Sequence, residues 1–393
     1  MGAAVERGEL ERQDLESAQR GACPTCGACQ FMGSASTGQV MAEALGLALP
    51  GSALVPAPLT KLLRYARATG KQLVTMIHQN LTPRRILTRE AFENTIIIHA
   101  AVGGSTNALL HLPPIAQEAG IEITIDDFDR IHRRVPVLAN VKTTGRYPVE
   151  YFWYAGGVPA VMLELREMLH LGCLTVTGKT LGENLEDIEQ NPYFFAEQRG
   201  YLNNVKVDRD EIIRTRSDPF SADGGVAVLY GNLAPGGAMI KTFSVPEQMH
   251  VHTGPARVFD FEEEAVHTLV KRRISPGDVL VIRYEGPRAN GMPEMSYAAA
   301  ILSADRVLNT TTAIGTDGRY SGAMRGPCIG HVAPERRLAI VGVKGERRPP
   351  AEIETILAER RRIWKPPQPR HSKGILSLYS RVARGTAEGA SIT

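Results

Sequence analysis

The sequence of 393 residues lacks the features that mark several specialised classes of protein. It contains no apolar run near the roughly 18 residues that a membrane-spanning helix needs, and its opening MGAAVERGELERQ has no hydrophobic signal core. Neither sign of charge dominates, because 45 basic residues are balanced by 42 acidic ones and the net charge is +3. Such a balance gives no strong field for nucleic acid. We therefore expect a cytoplasmic protein with neither a membrane nor a nucleic acid as its partner.

Cysteine is also scarce, and its distribution argues against a disulfide framework. Five cysteines occur, and three of them, Cys23, Cys26 and Cys29, lie within seven residues. A disulfide-stabilised secreted domain would instead carry an even number spread through a short chain. The Cys-x-x-Cys-x-x-Cys spacing could hold zinc or an iron–sulfur cluster, form a redox pair or be structural, and spacing alone does not choose among these.

Hydrophobic periodicity predicts secondary structure beside two hydroxyl-rich segments. Ser36 or Thr37 can cap a helix that Gly46 ends. Residues 95–102 form a short apolar, β-branched run, which predicts a buried strand. Gly103 and Gly104 follow it, and Ser105 with Thr106 can cap the next helix. A strand, a glycine turn and a capped helix would form an anion site of the kind found in α/β proteins.

The chain is long enough for two domains, and its texture changes after residue 200. Short apolar runs broken by Gly and Pro follow, which predicts a β-rich part. We predict an α/β protein in which an incomplete three-layer α/β domain covers residues 1–205. A β-rich, barrel-like domain with a helical tail covers 215–393, and the boundary lies in the polar stretch 200–218.

Four segments, in order along the chain, resemble motifs of one family, the iron–sulfur dehydratases of dihydroxy acids and sugar acids. They are CPTCGACQFMGSAST at 23–37, AVGGSTNALLHLPPIA at 101–116, YEGPRANGMPEM at 284–295 and TDGRYSGAMRGPCIGHVAPE at 316–335. The last is the most specific of the four. Four matches in register are hard to obtain by chance.

The resemblance assigns a role to one residue in each of three segments. It implies that Cys29 binds a [2Fe-2S] cluster, that Glu294 binds Mg²⁺ and that Ser321 is the base that removes the substrate's α-proton. A carboxylate in a turn rich in Gly and Pro also suits a hard cation on general grounds. Serine is a poor base unless its alkoxide is stabilised. Cys23 and Cys26 are either loop thiols or additional cluster ligands.

Other polar residues in these segments have plainer interpretations. Ser105 and Thr106 either contact the substrate or only form the turn. We expect His111 to be a buried histidine with its hydrogen bonds satisfied, and Glu285 to be the exposed member of the pair it forms with Glu294. Asp317, Arg319 and His331 are expected to be structural contacts within their turn.

The resemblance implies a hydro-lyase that dehydrates a 2,3-dihydroxy carboxylic acid to a 2-keto acid. In it, Mg²⁺ binds the substrate's carboxylate and 2-hydroxyl, and a cluster iron acts on the leaving 3-hydroxyl. The family's other cysteines, further metal-binding carboxylates and a modified lysine belong to an N-terminal portion without a counterpart here, so we expect a truncated member with impaired activity. The substrate is a sugar acid, slightly preferred, or a branched-chain dihydroxy acid.

Two alternatives remain open. The chain could be a non-catalytic metal or iron–sulfur module that uses Cys23, Cys26 and Cys29, or it could be an inactive gene fragment. The family resemblance also implies a homo-oligomer, a dimer or a tetramer.

Overall fold

The computed structural model describes residues 2–22, 27–322, 325–335, 350–363 and 370–391. It divides into two compact units. The helical unit is Thr25–Ala227, and the sheet unit combines Met1–Pro24 with Val228–Thr393. The division of the sequence into domains 1–205 and 215–393 stays a prediction, because compactness alone does not show that either part folds by itself.

The helical unit is built from short and medium helices. In chain order they are α3 (Ser34–Ala44), α4 (Thr60–His78), α5 (Pro83–Ile86), α6 (Arg89–Ala101), α7 (Ala108–Glu118), α8 (Ile125–His132), α9 (Val149–Tyr154), α10 (Gly157–Glu164), α11 (Leu181–Gln190), α12 (Ala196–Val205) and α13 (Arg209–Ile212), after α1 (Gly2–Glu6) and α2 (Arg12–Ala22) of the sheet unit. A 3₁₀ turn covers Arg166–Met168. None of the helices described is both long and apolar enough to cross a membrane.

Helix α6 replaces the strand that we predicted at residues 95–102, so that prediction is wrong. The helix begins at a Thr88 cap, whose side chain accepts a hydrogen bond from Ala91 N, and it ends at Ala101. Ten of its thirteen residues are buried, and they lie between Ala91 and Ala101 on all faces of the helix. A helix that is buried all round has no polar face, so its sequence shows the same continuous apolar run as a buried strand.

Two predicted helix caps are also wrong. Ser36 and Thr37 lie inside the first turn of α3, whose N-cap position is Gly33. Ser105 and Thr106 precede α7 but do not cap it, because the N-cap position is Asn107 and no side chain caps it. Gly46 does follow the end of α3 with a φ of 76°, a left-handed conformation that glycine adopts without strain.

The sheet unit contains six strands and five further helices in its described parts. The strands are β1 (Ala227–Leu229), β2 (Ala238–Ile240), β3 (Ala256–Asp260), β4 (Val279–Arg283), β5 (Ala313–Thr316) and β6 (Cys328–Gly330). The helices are α14 (Glu262–Val270), α15 (Ser296–Ala304), α16 (Leu308–Thr311), α17 (Pro350–Ile363) and α18 (Gly374–Val382), with α1 packed against α14. Short 3₁₀ turns cover Thr242–Ser244, Glu247–Met249 and Thr386–Glu388.

The six strands form one mixed sheet in the order β1-β2-β6-β5-β4-β3. The four strands from β3 to β6 are parallel, and β2 runs antiparallel to β6. Side chains alternate between the two faces, so Leu280 and Ile282 of β4 pack with α14 and α15, whereas Val281 packs on the opposite face. Helices joined to parallel strands are the arrangement of an α/β layer structure.

The α/β class is confirmed, but its finer details are not. Residues 27–226 contain isolated β-bridges such as Val137 to Ser221 but no strand, so the expected three-layer α/β organisation is not confirmed for the helical unit. The barrel is not confirmed either, because the sheet has β1 and β3 at its ends among the described residues. Parallel strands with crossover helices, rather than the expected β-rich part, follow residue 228.

Replacing Ile98 with alanine tests the burial of α6. Ile98 is fully buried, so we expect the free energy of unfolding to fall by about 2–5 kcal/mol. The matched control is Ile115→Ala on α7, whose side chain is 43% exposed and whose loss should cost about 1 kcal/mol or less. Urea unfolding of both variants measures the difference, and equal losses would contradict the packing of α6.

Candidate functional site

Cys29 lies just before α3, in a segment that the backbone of a distant loop holds. Its thiol is exposed, and its sulfur lies 3.9 Å from Phe31 O. On either side of Phe31, Met32 N donates to Lys142 O at 2.6 Å, and Val149 N donates to the carbonyl of Gln30 at 2.8 Å. The thiol is therefore presented at the surface by a segment whose backbone is fixed.

The glycine-rich segment after α6 is anchored to the first turn of α3. Ser105 N donates to Thr37 Oγ1 at 2.9 Å, and Asn107 Nδ2 donates to Ser34 Oγ at 2.6 Å. From the same turn, Ser36 Oγ donates to Cys29 O at 3.5 Å. The structure thus joins the first and second of the four family-like segments through side chains of one helical turn.

Two buried histidines hold the other side of this segment. His99 and His132 are 0% and 1% exposed, and His99 Nδ1 lies 3.0 Å from His132 Nε2. His99 Nε2 lies 2.9 Å from Ser105 O, and Val226 N donates to His132 Nδ1 at 3.2 Å. Any side chain at Gly104 would overlap the His99 ring, which explains the glycine there.

These contacts assign one tautomer to each ring when both are neutral. His132 Nδ1 accepts a hydrogen bond from Val226 N–H, so the His132 proton is on Nε2. That proton is donated to His99 Nδ1, which leaves the His99 proton on Nε2 to be donated to Ser105 O. Burial, and then the neighbouring His99, lower the pKa of His132 well below its usual range.

The predicted substrate residues of this segment are buried. Ser105 is 0% exposed and Thr106 is 6% exposed. The amide and carbonyl of Ser105 are bonded as described, and its Oγ accepts from Asn107 N at 3.2 Å. A substrate contact for either residue stays a prediction. His111, expected to be buried, is exposed, because it points away from the α7 face that buries Leu109, Leu110 and Leu112.

In the sheet unit, the loops with Glu294 and Ser321 follow the carboxyl ends of β4 and β5. These strands are parallel neighbours, so both loops leave the same edge of the sheet. A β-bridge joins Glu294 to Arg319, and Met295 N donates to Arg319 O at 2.9 Å. Arg319 Nε donates to Met292 O at 2.6 Å. The third and fourth family-like segments are thereby paired.

Glu294 and Ser321 are both only partly buried. Arg319 Nη1 lies 3.9 Å from Glu294 Oε1, a loose ion pair near solvent. Glu285, expected to be the exposed glutamate of this loop, is 1% exposed, so that expectation is wrong. The physical reason is that its carboxylate accepts from Glu262 N at 2.7 Å and from Asn290 Nδ2 at 2.5 Å, so it fills a structural role.

Asp317 and Glu285 are buried carboxyl groups at the start of the two loops, and Glu335 is a partly buried one that contacts the first loop. Asp317 Oδ1 accepts from Glu285 N at 3.0 Å, and Glu335 Oε2 accepts from Arg288 N at 3.2 Å. Burial raises the pKa of Asp317 to about 8, helped by the charges of Glu335 and Glu285, and burial raises the pKa of Glu335 to about 7. These contacts fit the structural role expected for Asp317. His331 N likewise donates to Gly318 O at 2.8 Å, within the turn that we expected it to join.

The described residues do not supply a complete set of ligands for a metal group. No three Asp, Glu, His or Cys side chains among them are arranged to hold a metal ion. Cys29 lies in the helical unit and Glu294 in the sheet unit. Each is a single potential ligand within its own unit. Cys23 and Cys26 lie outside the described residues.

Sequence reasoning missed three residues near these segments, His99, His132 and Lys241. The two histidines are 33 positions apart, and nothing in a single sequence indicates that they pair. Lys241 directly follows β2, and its Nζ donates to Gly322 O at 3.4 Å. The sequence signal was a lysine directly after the short apolar run 238–240, since charged residues are rarely buried without a reason.

Family models match both parts of the chain. The dihydroxy-acid/6-phosphogluconate dehydratase N-terminal model matches residues 1–184, and the C-terminal model of the same family matches residues 211–342.

Individual relatives agree with the family models. The chain is 41% identical to a dihydroxy-acid dehydratase of Caldanaerobacter subterraneus over 98% of its own length and 69% of that protein. It is 39% identical to one of Caldicellulosiruptor bescii, over 98% of this chain and 70% of that protein. A dihydroxy-acid dehydratase of Methanosarcina barkeri is 44% identical over 84% of this chain and 58% of its own length.

Because burial keeps His132 neutral, we expect the free energy of unfolding to decrease in acid. An unfolded histidine binds a proton near pH 6.5, whereas folded His132 resists it, so the unfolded state gains protons first as the pH falls. Between pH 6.5 and 5 we expect wild type to lose stability more steeply than His132→Gln, by up to about 1 kcal/mol per pH unit. Urea unfolding at pH 8, 6 and 5 measures the two slopes. Equal slopes would show that His132 is not held neutral.

Proposed function

Since the chain belongs to the dihydroxy-acid/6-phosphogluconate dehydratase family, we propose that it is a hydro-lyase that converts a 2,3-dihydroxy carboxylic acid into a 2-keto acid. The relatives reported above are all named for a dihydroxy acid. Their names favour a branched-chain dihydroxy acid, with a place in branched-chain amino acid biosynthesis, over the sugar acid that the sequence alone slightly preferred.

One observation supports this function best, the pairing of the loops with Glu294 and Ser321 at the carboxyl edge of β4 and β5. Ligands of open α/β sheets bind outside the carboxyl ends of parallel strands. The bridge between Glu294 and Arg319 keeps the two loops in register, and both Glu294 and Ser321 remain partly exposed. A small hydroxy acid could therefore reach both side chains.

In the proposed reaction, Ser321 accepts the proton from C2 of the substrate. The electron pair of the C2–H bond forms the C2–C3 double bond as the C3 hydroxyl leaves with its own bonding pair. That hydroxyl takes up one proton to become water, which balances the proton that Ser321 later gives back. The enol loses its hydroxyl proton and gains one at C3 to become the 2-keto acid, so no net oxidation or reduction takes place. Ser321 must act as an alkoxide to be an effective base, since the pKa of a hydroxyl is far above neutrality. Glycine at position 322 leaves one side of the serine without a neighbouring side chain.

We also propose the cofactors that the family resemblance implies, a [2Fe-2S] cluster and Mg²⁺. Cys29 would supply one thiolate to the cluster, and Glu294 would supply one carboxylate to Mg²⁺. A cluster needs several protein ligands, and Cys23 and Cys26 are the nearest candidates in the sequence. Because the described ligand sets do not fit either group completely, the reaction above is assigned only to the protein's own side chains.

The alternative of a non-catalytic metal or iron–sulfur module is not favoured. Such a module would need only the cysteine segment, whereas a dehydratase model also matches residues 211–342, which contain Glu294 and Ser321. The dimer or tetramer expected from the sequence stays a prediction.

Replacing Ser321 with alanine tests the proposed base. We expect kcat to fall by about 10²- to 10⁴-fold with little change in KM, because the group is needed for proton transfer and not for binding. The protein is purified without oxygen and reconstituted with iron, sulfide and Mg²⁺. A branched-chain dihydroxy acid and an aldonate are then supplied separately, and 2-keto acid is measured.

The control for this test is Ser275→Ala, which removes an exposed serine of the same unit and should keep full activity. An active Ser321→Ala protein would remove the proposed base. A wild-type protein that holds a cluster but forms no keto acid from either substrate would remove the proposed function.

Replacing Cys29 with serine tests the proposed cluster ligand. We expect the reconstituted variant to lose most of its bound iron and sulfide and the visible absorbance of a two-iron cluster. The matched control is Cys173→Ser, since Cys173 is a half-buried thiol that lies 3.6 Å from Asn94 Nδ2. Equal iron content in the two variants would show that Cys29 is not a ligand.

A further inference from the structure

Lys241 is a buried cation beside the segment with the proposed base. Lys241 is only 6% exposed. The Nζ atom donates to Gly322 O at 3.4 Å and lies 5.8 Å from the centre of the Phe243 ring. These are the polar contacts of the ammonium among the described residues, and none of them is to a carboxylate.

The position of Lys241 is determined by the backbone of the sheet. In the antiparallel ladder of β2 and β6, Met239 pairs with Gly330 and Ile240 with Ile329, so Lys241 follows in register opposite Cys328. Beyond the ladder, Gly326 N donates to Ser244 O at 3.0 Å. The strand end with Lys241 and the loop that leads from Ser321 into β6 are therefore fixed to each other on both sides of the lysine.

A buried ammonium with one long hydrogen bond to a neutral carbonyl is poorly compensated. An ammonium can donate three hydrogen bonds, and taking its charge out of water is costly unless an anion or several acceptors replace the water. Burial accordingly lowers the pKa of Lys241 to about 8, which still leaves the group mostly charged at neutral pH. A cation in this state would be stabilised by a negative charge nearby.

Ser321, the residue before Gly322, needs a positive charge nearby if it is to act as a base. Ser321 can serve as a base only as an alkoxide, and an opposite charge nearby favours the charged form of a titratable group. Lys241 contacts the carbonyl of the adjacent residue, and Ser321 itself is only half-buried and can be reached by a small molecule.

We propose that the Lys241 ammonium stabilises the deprotonated form of Ser321 and holds the Ser321–Gly322 turn through the Gly322 carbonyl. Lys241 is thus a positioning residue for the reaction and does not itself take a proton from the substrate. The inference rests on the role proposed for Ser321 and deepens it, because it identifies the positive charge that this role requires.

The test measures the reactivity of Ser321 directly and does not depend on turnover. The full-length protein is treated with phenylmethanesulfonyl fluoride, which sulfonylates an activated serine oxygen and releases fluoride. Peptide mass spectrometry then gives the labelling rates of Ser321 and of Ser275, an exposed serine of the same unit. In wild type we expect Ser321 to react at least about tenfold faster than Ser275, because the charge proposed for Lys241 favours the deprotonated form of Ser321.

Two variants separate charge from packing. Lys241→Met removes the charge and keeps most of the length of the side chain, and it should slow labelling of Ser321 by about tenfold or more. Lys241→Arg keeps the charge and should stay within about threefold of wild type. The matched control is Lys271→Met, which removes an exposed lysine of the same unit and should leave labelling unchanged.

Several results would overturn the proposal. They are a wild-type Ser321 that reacts no faster than Ser275, a Lys241→Met protein with unchanged labelling, and equal losses in Lys241→Met and Lys241→Arg, which would indicate a packing role. A Lys241→Met enzyme with unchanged labelling, unchanged kcat and a raised KM would show that Lys241 binds the substrate's carboxylate instead. If Lys241→Met does not fold, Lys241→Gln takes its place as the uncharged variant, with the same supporting and contradicting results.

The outcome is separate from that of the proposed function. If labelling follows the expected pattern while no keto acid is formed, the pair of Lys241 and Ser321 stands and the dehydratase reaction falls. If keto acid is formed while the labelling of Ser321 does not depend on Lys241, the reaction stands and the role of Lys241 falls.

Discussion

The hydrogen bond from Ser105 N–H to Thr37 Oγ1 is the contact on which the candidate site of the helical unit depends. A buried amide must find a partner, and the turn after α6 has no strand to supply one. The hydroxyl of Thr37, inside the first turn of α3, fills that need. Ser36 of the same turn also bonds to the carbonyl of Cys29, so one turn of α3 contacts the backbone of both Cys29 and the glycine-rich segment.

The sheet unit meets an equivalent constraint with parallel strands. Since β4 and β5 run in the same direction, the chain leaves both at one edge, and polar groups that follow the strands meet there. Asp317 accepts a hydrogen bond from the amide of Glu285 at this edge. The bridge between Glu294 and Arg319 lies farther along the two loops. The contact of Asp317 with Glu285 is buried, so we assign it a structural role. Glu294 is partly exposed, so a ligand could reach it.

The sequence was sufficient to find the four segments and the α/β class, since these depend on local residue patterns. It failed where tertiary packing decided the outcome. Residues 95–101 belong to a helix that is buried on every side there, and no periodicity marks such a run. The pair of His99 and His132, and the contact of Lys241 with Gly322, join residues far apart in the chain, so only the fold reveals them. Exposure was also misjudged for His111 and Glu285, because local composition does not tell which face an element buries.

The side chains that hold the candidate loops differ from those proposed to react. Asp317, Glu285 and Lys241 are buried and bond mainly to backbone groups, so each fixes a turn of the main chain. Ser321 and Glu294 stay partly exposed on the loops that these contacts stabilise. A site built in this way would be preorganised, since the buried contacts hold the loops in place before a substrate arrives. The buried polar groups of the sheet unit are therefore better understood as supports of the reaction than as its agents.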